Sequence, residues 1–122
     1  MKTISTRAAL AGVAAAMLVA APALADVKIG SLGAITGPIV SLVKEINLAE
    51  QAAIDEINAG GGINGDKAVI VFGDTGCNSQ TAVDAANKLV NIEQVVGIAG
   101  ALCSGATIPA ASNVAVPAGV VM

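Results

Sequence analysis

The sequence has 122 residues, 55% of them hydrophobic, with one aromatic residue, Phe72, and no histidine. That length suits one small domain and not two. Nine acidic residues outnumber six basic ones, no basic cluster occurs, and a single ring is available for base stacking, so nucleic acid is excluded as an expected partner.

The first segment reads as a leader. Lys2 and Arg7 give it a positive start, Ala8 to Ala21 is uninterruptedly apolar, and Pro22-Ala23-Leu24-Ala25 ends in an A-x-A pattern before Asp26. This is the three-part build of a secretory signal peptide over residues 1–25. The run is shorter than the roughly 20 apolar residues of a membrane span. No cysteine follows the cleavage point, so no lipid anchor is expected there, and residues 26–122 are predicted to be free and soluble in an exported compartment. Loss of Lys2 and Arg7 leaves four basic residues against nine acidic, a net of about −5.

Val27 to Leu32 alternates apolar with polar or small residues and predicts the first strand. Gly33-Ala34-Ile35-Thr36-Gly37-Pro38 turns the chain. From about Ile39 to Asn58 the pattern is helical, with Leu42, Ile46, Ala49, Ala53 and Ile57 expected inside and Glu45, Gln51, Asp55 and Glu56 on wetter faces. Ala59-Gly60-Gly61-Gly62 is a strong helix stop. Ala68 to Phe72 is the second strand, and strand, helix and strand with short joints predict a parallel βαβ unit.

A second helix follows, capped by Asn78 or Ser79 and running to about Asn91, with Val83, Ala86, Leu89 and Val90 inward. Val95 to Ala99 is the third strand. Beyond it, Pro109 argues for a loose turn over 104–107 and a helix capped at Thr107, because a proline in the first turn denies no carbonyl its partner. Pro117 ends that helix, and Gly119 to Met122 starts a fourth strand. A last strand with no helix behind it suggests the front part of a longer protein.

The candidate functional feature is the corner Gly100-Ala101-Leu102-Cys103-Ser104-Gly105, between a buried strand and a helix. Open amides at such a corner, joined by the hydroxyl of Ser104, can hold a carboxylate or other anion. Ser31 and Thr36 are weaker candidates, and Asp74 reads equally well as a solvated acid or a cap. Cys77 and Cys103, two cysteines in an exported chain, read as a disulfide; metal binding is the weaker reading, since the spacing fits no zinc pattern. Catalysis is not expected. Gly30, Gly33 and Gly37 do not make the dinucleotide fingerprint, no histidine can serve a nucleophile, and no C-x-x-C is present. No cofactor is implied.

The segments Gly33-Ala34-Ile35-Thr36-Gly37-Pro38, Ala49-Glu50-Gln51-Ala52, Asp55 through Gly65, Gly73-Asp74-Thr75-Gly76-Cys77, Ala85 through Val90 and Gly100 through Ser104 occur in one order with matching gaps. Together they resemble the amino-terminal lobe of the branched-chain amino acid binding proteins of ABC transporters, the Leu/Ile/Val type of periplasmic receptor. The resemblance covers essentially all of residues 26–122. It implies an α/β fold, the three-layer parallel-sheet lobe of a type I periplasmic binding protein, here incomplete. It further implies a monomeric periplasmic receptor that closes on an amino acid or related solute and delivers it to an ABC permease in the inner membrane. A ligand-sensing domain of a chemoreceptor is the alternative on the same lobe.

In that family the positions matching Cys77 and Cys103 are joined, and the serine matching Ser104 contacts the ligand carboxylate; Ser104, Cys103 and Gly105 are the expected ligand-binding residues. A further head-group motif is expected just beyond Met122, and a second lobe after it. Some relatives carry an aromatic residue shortly after the Gly-Pro turn, where this sequence reads Ile39-Val40-Ser41-Leu42-Val43, so the resemblance leaves amides, urea and aromatic acids open beside leucine.

Overall fold

A computed structural model describes residues 25–122; the signal-peptide reading of residues 1–25 lies outside these, Ala25 apart. Three strands, β1 (Val27–Gly33), β2 (Ala68–Asp74) and β3 (Gly97–Gly100), form a parallel sheet in the order β2-β1-β3. Three helices connect and follow them: α1 (Val40–Ala59), α2 (Ser79–Asn87) and α3 (Ser104–Ala110). Ile98 donates to the carbonyl of Val121, which pairs parallel with Gly97, so the chain end takes the place of a fourth strand beside β3.

The faces of β1 explain the layering. Side chains alternate across a strand. A Cβ built on Gly30 would meet Leu89 and Ile98, and Leu32 belongs to the cluster with Ala82, Ala86, Ala106, Ala110 and Val114, so the even positions face α2 and α3. A Cβ on Gly33 would instead lie 2.8 Å from Val43, and Ser31 bonds Glu50, so the odd positions face α1. The result is a sheet covered on both sides, as parallel sheets require. Alanines supply the α2–α3 seam, and their short side chains let two helices share one face of a narrow sheet.

The α1 helix is turned from its expected face. Val43 and Ile54 are buried, Ile46 is half-buried, and Leu42, Ala49, Ala53 and Ile57 are exposed. The face that meets the sheet and the expected apolar stripe lie one residue apart, about 100° around the helix. Polar anchors decide between them. Glu50 reaches Ser31, and Asn58 pairs with the main chain of Ala68 through both N–H···O bonds at 2.8 Å. Residues 43, 47, 50, 54 and 58 share a face, and the two anchors bring that face to the sheet.

Two further boundaries differ from expectation. β3 begins two residues late because the Val95 N–H closes the preceding helix on the Leu89 carbonyl. The α3 helix begins at Ser104 with Cys103 as its N-cap and contains Pro109, so neither the loose turn over 104–107 nor the Thr107 cap is found. Thr107 is drawn inward by the preceding loop, as described below. Gly105, whose carbonyl loses its helical partner to Pro109, is exposed and can be hydrated, and the helix then widens into a π-turn over Ala111–Ala115.

Candidate functional site

All three strands run parallel, so their carboxyl ends, and the loops that follow, gather at one edge. Asp74, Gly100 and Gly33 end their strands there, and Gly33 pairs with Asp74 in the register. The loop after β2 carries Cys77 and the loop after β3 carries Cys103. These two are disulfide-bonded, with Cα atoms 5.4 Å apart, inside the usual range for such a bridge.

Left-handed backbone occurs at one end of the bond, Cys77 at φ 55°, and next to the other, at Leu102 with φ 73°. Such conformations persist only where surrounding contacts impose them. Here the Thr75 hydroxyl accepts from the Cys77 N–H at 3.3 Å, and the Thr107 hydroxyl, donating to the Cys103 carbonyl at 3.0 Å, accepts from the Ala101 N–H at 3.3 Å. One threonine thus laces both sides of the Leu102 bend. The cap reading of Thr107 failed for that reason: its hydroxyl serves the loop in front of the helix.

At the start of α3 the amides of Ala106 and Thr107 turn back to the Cys103 carbonyl. The Ser104 and Gly105 amides lie ahead of them in the first turn, where a helix has no carbonyl to offer. Both residues are exposed, and a Cβ on Gly105 would meet nothing within 4 Å. Ser104 therefore presents a hydroxyl at an open edge, next to amides and beside a rigid bridge, which suits a carboxylate or another acceptor. Cys103 is half-buried and structural.

The other candidates separate. Ser31 is buried and donates to Glu50 at 2.7 Å on the α1 face, away from the edge. Thr36 is at the edge, but its hydroxyl donates to Asp74 at 2.6 Å. Asp74 is more than a strand-end acid: it also accepts from the Thr36 and Gly76 amides at 3.1 and 3.0 Å. Burial pushes its carboxyl pKa up, and the bonds from Thr36 and Gly76 overcome this, holding it below the ordinary carboxylate value. Nothing in the sequence marks Glu50 or Asn58 as anchors, since their partners are remote in the chain.

A groove of about 460 Å³ lies elsewhere, between α1 and the outer side of β2, lined by Ile35, Val43, Leu48 and Phe72 among others.

Comparison with known proteins agrees with the fold. A family model described as periplasmic binding protein matches residues 26–121. A Leu/Ile/Val-binding protein homolog 7 of Brucella suis is 45% identical over 108 residues, 88% of this chain and 27% of that protein. A Leu/Ile/Val-binding protein of Citrobacter freundii is 38% identical, over 85% of this chain and 28% of its own length. Among solved structures, the branched-chain amino acid transporter substrate binding protein LivJ of Streptococcus pneumoniae, in complex with isoleucine, superposes with a TM-score of 0.73 at 33% identity, covering 79% of this chain and 27% of that one. The chain thus spans a little over a quarter of the length of these relatives.

Proposed function

The chain belongs to the periplasmic binding protein family, and we propose that it forms one face of the ligand cleft in an exported receptor for a branched-chain amino acid or a related small carboxylate or amide. The receptor would deliver its solute to an ABC permease in the inner membrane. The observation that carries the reading is the placement of Ser104: an exposed hydroxyl at the carboxyl edge of a parallel sheet, one residue from a disulfide that fixes the corner. Ligands of open parallel sheets bind at that edge. The isoleucine-bound neighbour supports an aliphatic amino acid as first choice of solute.

In this reading the solute carboxylate takes the Ser104 hydroxyl and the neighbouring amides, Gly105 included, and Cys103 holds the corner in place. A hydrogen bond to a charged group contributes about 1.5 to 3 kcal/mol, so Ser104→Ala should weaken binding roughly 10- to 150-fold. Calorimetric titration of the full-length exported protein with leucine, isoleucine, valine, aliphatic amides and aromatic acids tests it. Saturable one-to-one binding of an aliphatic solute, weakened in Ser104→Ala, is expected. An unchanged affinity in that variant removes Ser104 from the site, and no binding of any solute overturns the receptor reading.

A further inference from the structure

We propose that Asp74 is a positioning residue for the solute-binding edge, tying the loop after β1 to the corner after β2 so that the Cys77–Cys103 bridge holds Ser104 in register. This rests on the reading of Ser104 above. Three bonds from two loops converge on one carboxylate: the Thr36 hydroxyl on Oδ2, and the Thr36 and Gly76 amides on Oδ1. Thr36 and Asp74 are 38 positions apart, so the carboxylate joins segments the chain does not hold together locally. The loops also touch directly. Gly37, at φ 99°, leaves so little room that a Cβ there would lie 3.2 Å from the Gly76 carbonyl oxygen.

From Gly76 the connection to the edge is unbroken. Cys77 follows it in a left-handed conformation, which costs a non-glycine residue about 1 to 2 kcal/mol and so depends on its neighbours for support. The bridge links Cys77 to Cys103, and Cys103 caps α3, its carbonyl accepting from the Ala106 and Thr107 amides and the Thr107 hydroxyl. Ser104 is the next residue. Asp74 is ill-suited to contact solute itself, since both carboxylate oxygens are already engaged by the protein.

The full-length exported protein, probed with L-isoleucine, L-leucine and L-valine, separates the possibilities. Asp74→Ala removes all three bonds and should weaken solute binding about tenfold, within the usual span of coupling between sites. Asp74→Asn is the conservative rescue: its carbonyl can accept both amides and its NH₂ can donate to the Thr36 hydroxyl, so affinity should stay within about threefold of the parent. Asn58→Asp serves as control. It weakens the fold at Ala68, the other end of β2, and should leave affinity unchanged while lowering the melting temperature.

Amide hydrogen exchange at Gly76, Cys103 and Ser104 in the solute-free protein should accelerate in Asp74→Ala and in neither other variant. Parent-like affinity or exchange in Asp74→Ala overturns the proposal. So does an Asp74→Asn protein as weak as Asp74→Ala, which would mark a direct charge contact, or an Asn58→Asp protein that loses affinity equally. A parent that binds none of the three amino acids removes the branched-chain solutes and leaves the receptor reading to the amides and aromatic acids, while the exchange experiment still decides the role of Asp74.

Discussion

Removing the bridge between the two corners should cost this chain several kcal/mol of stability. Cys77 and Cys103 are 26 positions apart. Closing a loop of that length lowers the entropy of the unfolded chain by about 12 cal/mol/K, or about 3.5 kcal/mol at 25 °C. Both cysteines are half-buried and Cys103 packs against the core, so a Cys77→Ala/Cys103→Ala protein also loses some buried surface, but the loop entropy is the larger contribution. With a urea slope of roughly 1.5 kcal/mol per molar for a domain of this size, the unfolding midpoint should fall by about 2 M. Urea titration followed by far-UV circular dichroism measures this, with alkylation first confirming that both parent sulfurs are oxidised. A midpoint that falls by less than about 0.5 M would refute the view that the bridge acts by constraining the unfolded chain.

The remaining expectations concern the ends of α1 and the acid at the edge. Asn58→Ala leaves the buried main chain of Ala68 without a donor and an acceptor, and should destabilise by about 2 to 4 kcal/mol in chemical denaturation; a loss under about 0.5 kcal/mol would show that the pair contributes little. Gly62, at φ 77°, has no room for a Cβ against the Asp66 carbonyl, whereas Gly61, at φ 103°, is open. Gly61→Ala should therefore cost about 1 kcal/mol and Gly62→Ala clearly more; equal effects in thermal melts would contradict that ordering. The folded-state pKa of Asp74 lies below its ordinary value of 3.8, so its contribution is fully present above about pH 4 and is lost as pH falls through the folded value. Melting temperatures taken from pH 6 downward should drop more steeply for the parent than for Asp74→Asn below about pH 4, and parallel curves would count against the sign.

The order of elements was legible in the sequence because its signals are local. Glycines at Gly60 to Gly62, the cap at Asn78 and the β-branched runs act within a few residues of themselves, and each boundary they set is found within about two residues. The two cysteines were legible for a different reason: with no third cysteine in the chain, only one pairing exists.

Which face of α1 meets the sheet was not legible. Leu42, Ile46, Ala49, Ala53 and Ile57 are all apolar, whereas the face actually used reads Val43, Asn47, Glu50, Ile54 and Asn58, so hydrophobic periodicity points to the wrong one. Tertiary structure decided it through Glu50 on Ser31 and Asn58 on Ala68, pairs separated by 19 and 10 residues that carry no pattern along the chain. The same holds at the edge. Ser104 could be placed at a corner from sequence alone, since that needs only a strand followed by a helix. That Asp74 gathers Thr36 depends on β1 and β2 lying side by side, which brings a backbone donor 38 positions away within 3.1 Å of the carboxylate, whereas the bonds of Thr107 to Ala101 and Cys103, six and four residues back, depend on the bend the chain takes at Leu102.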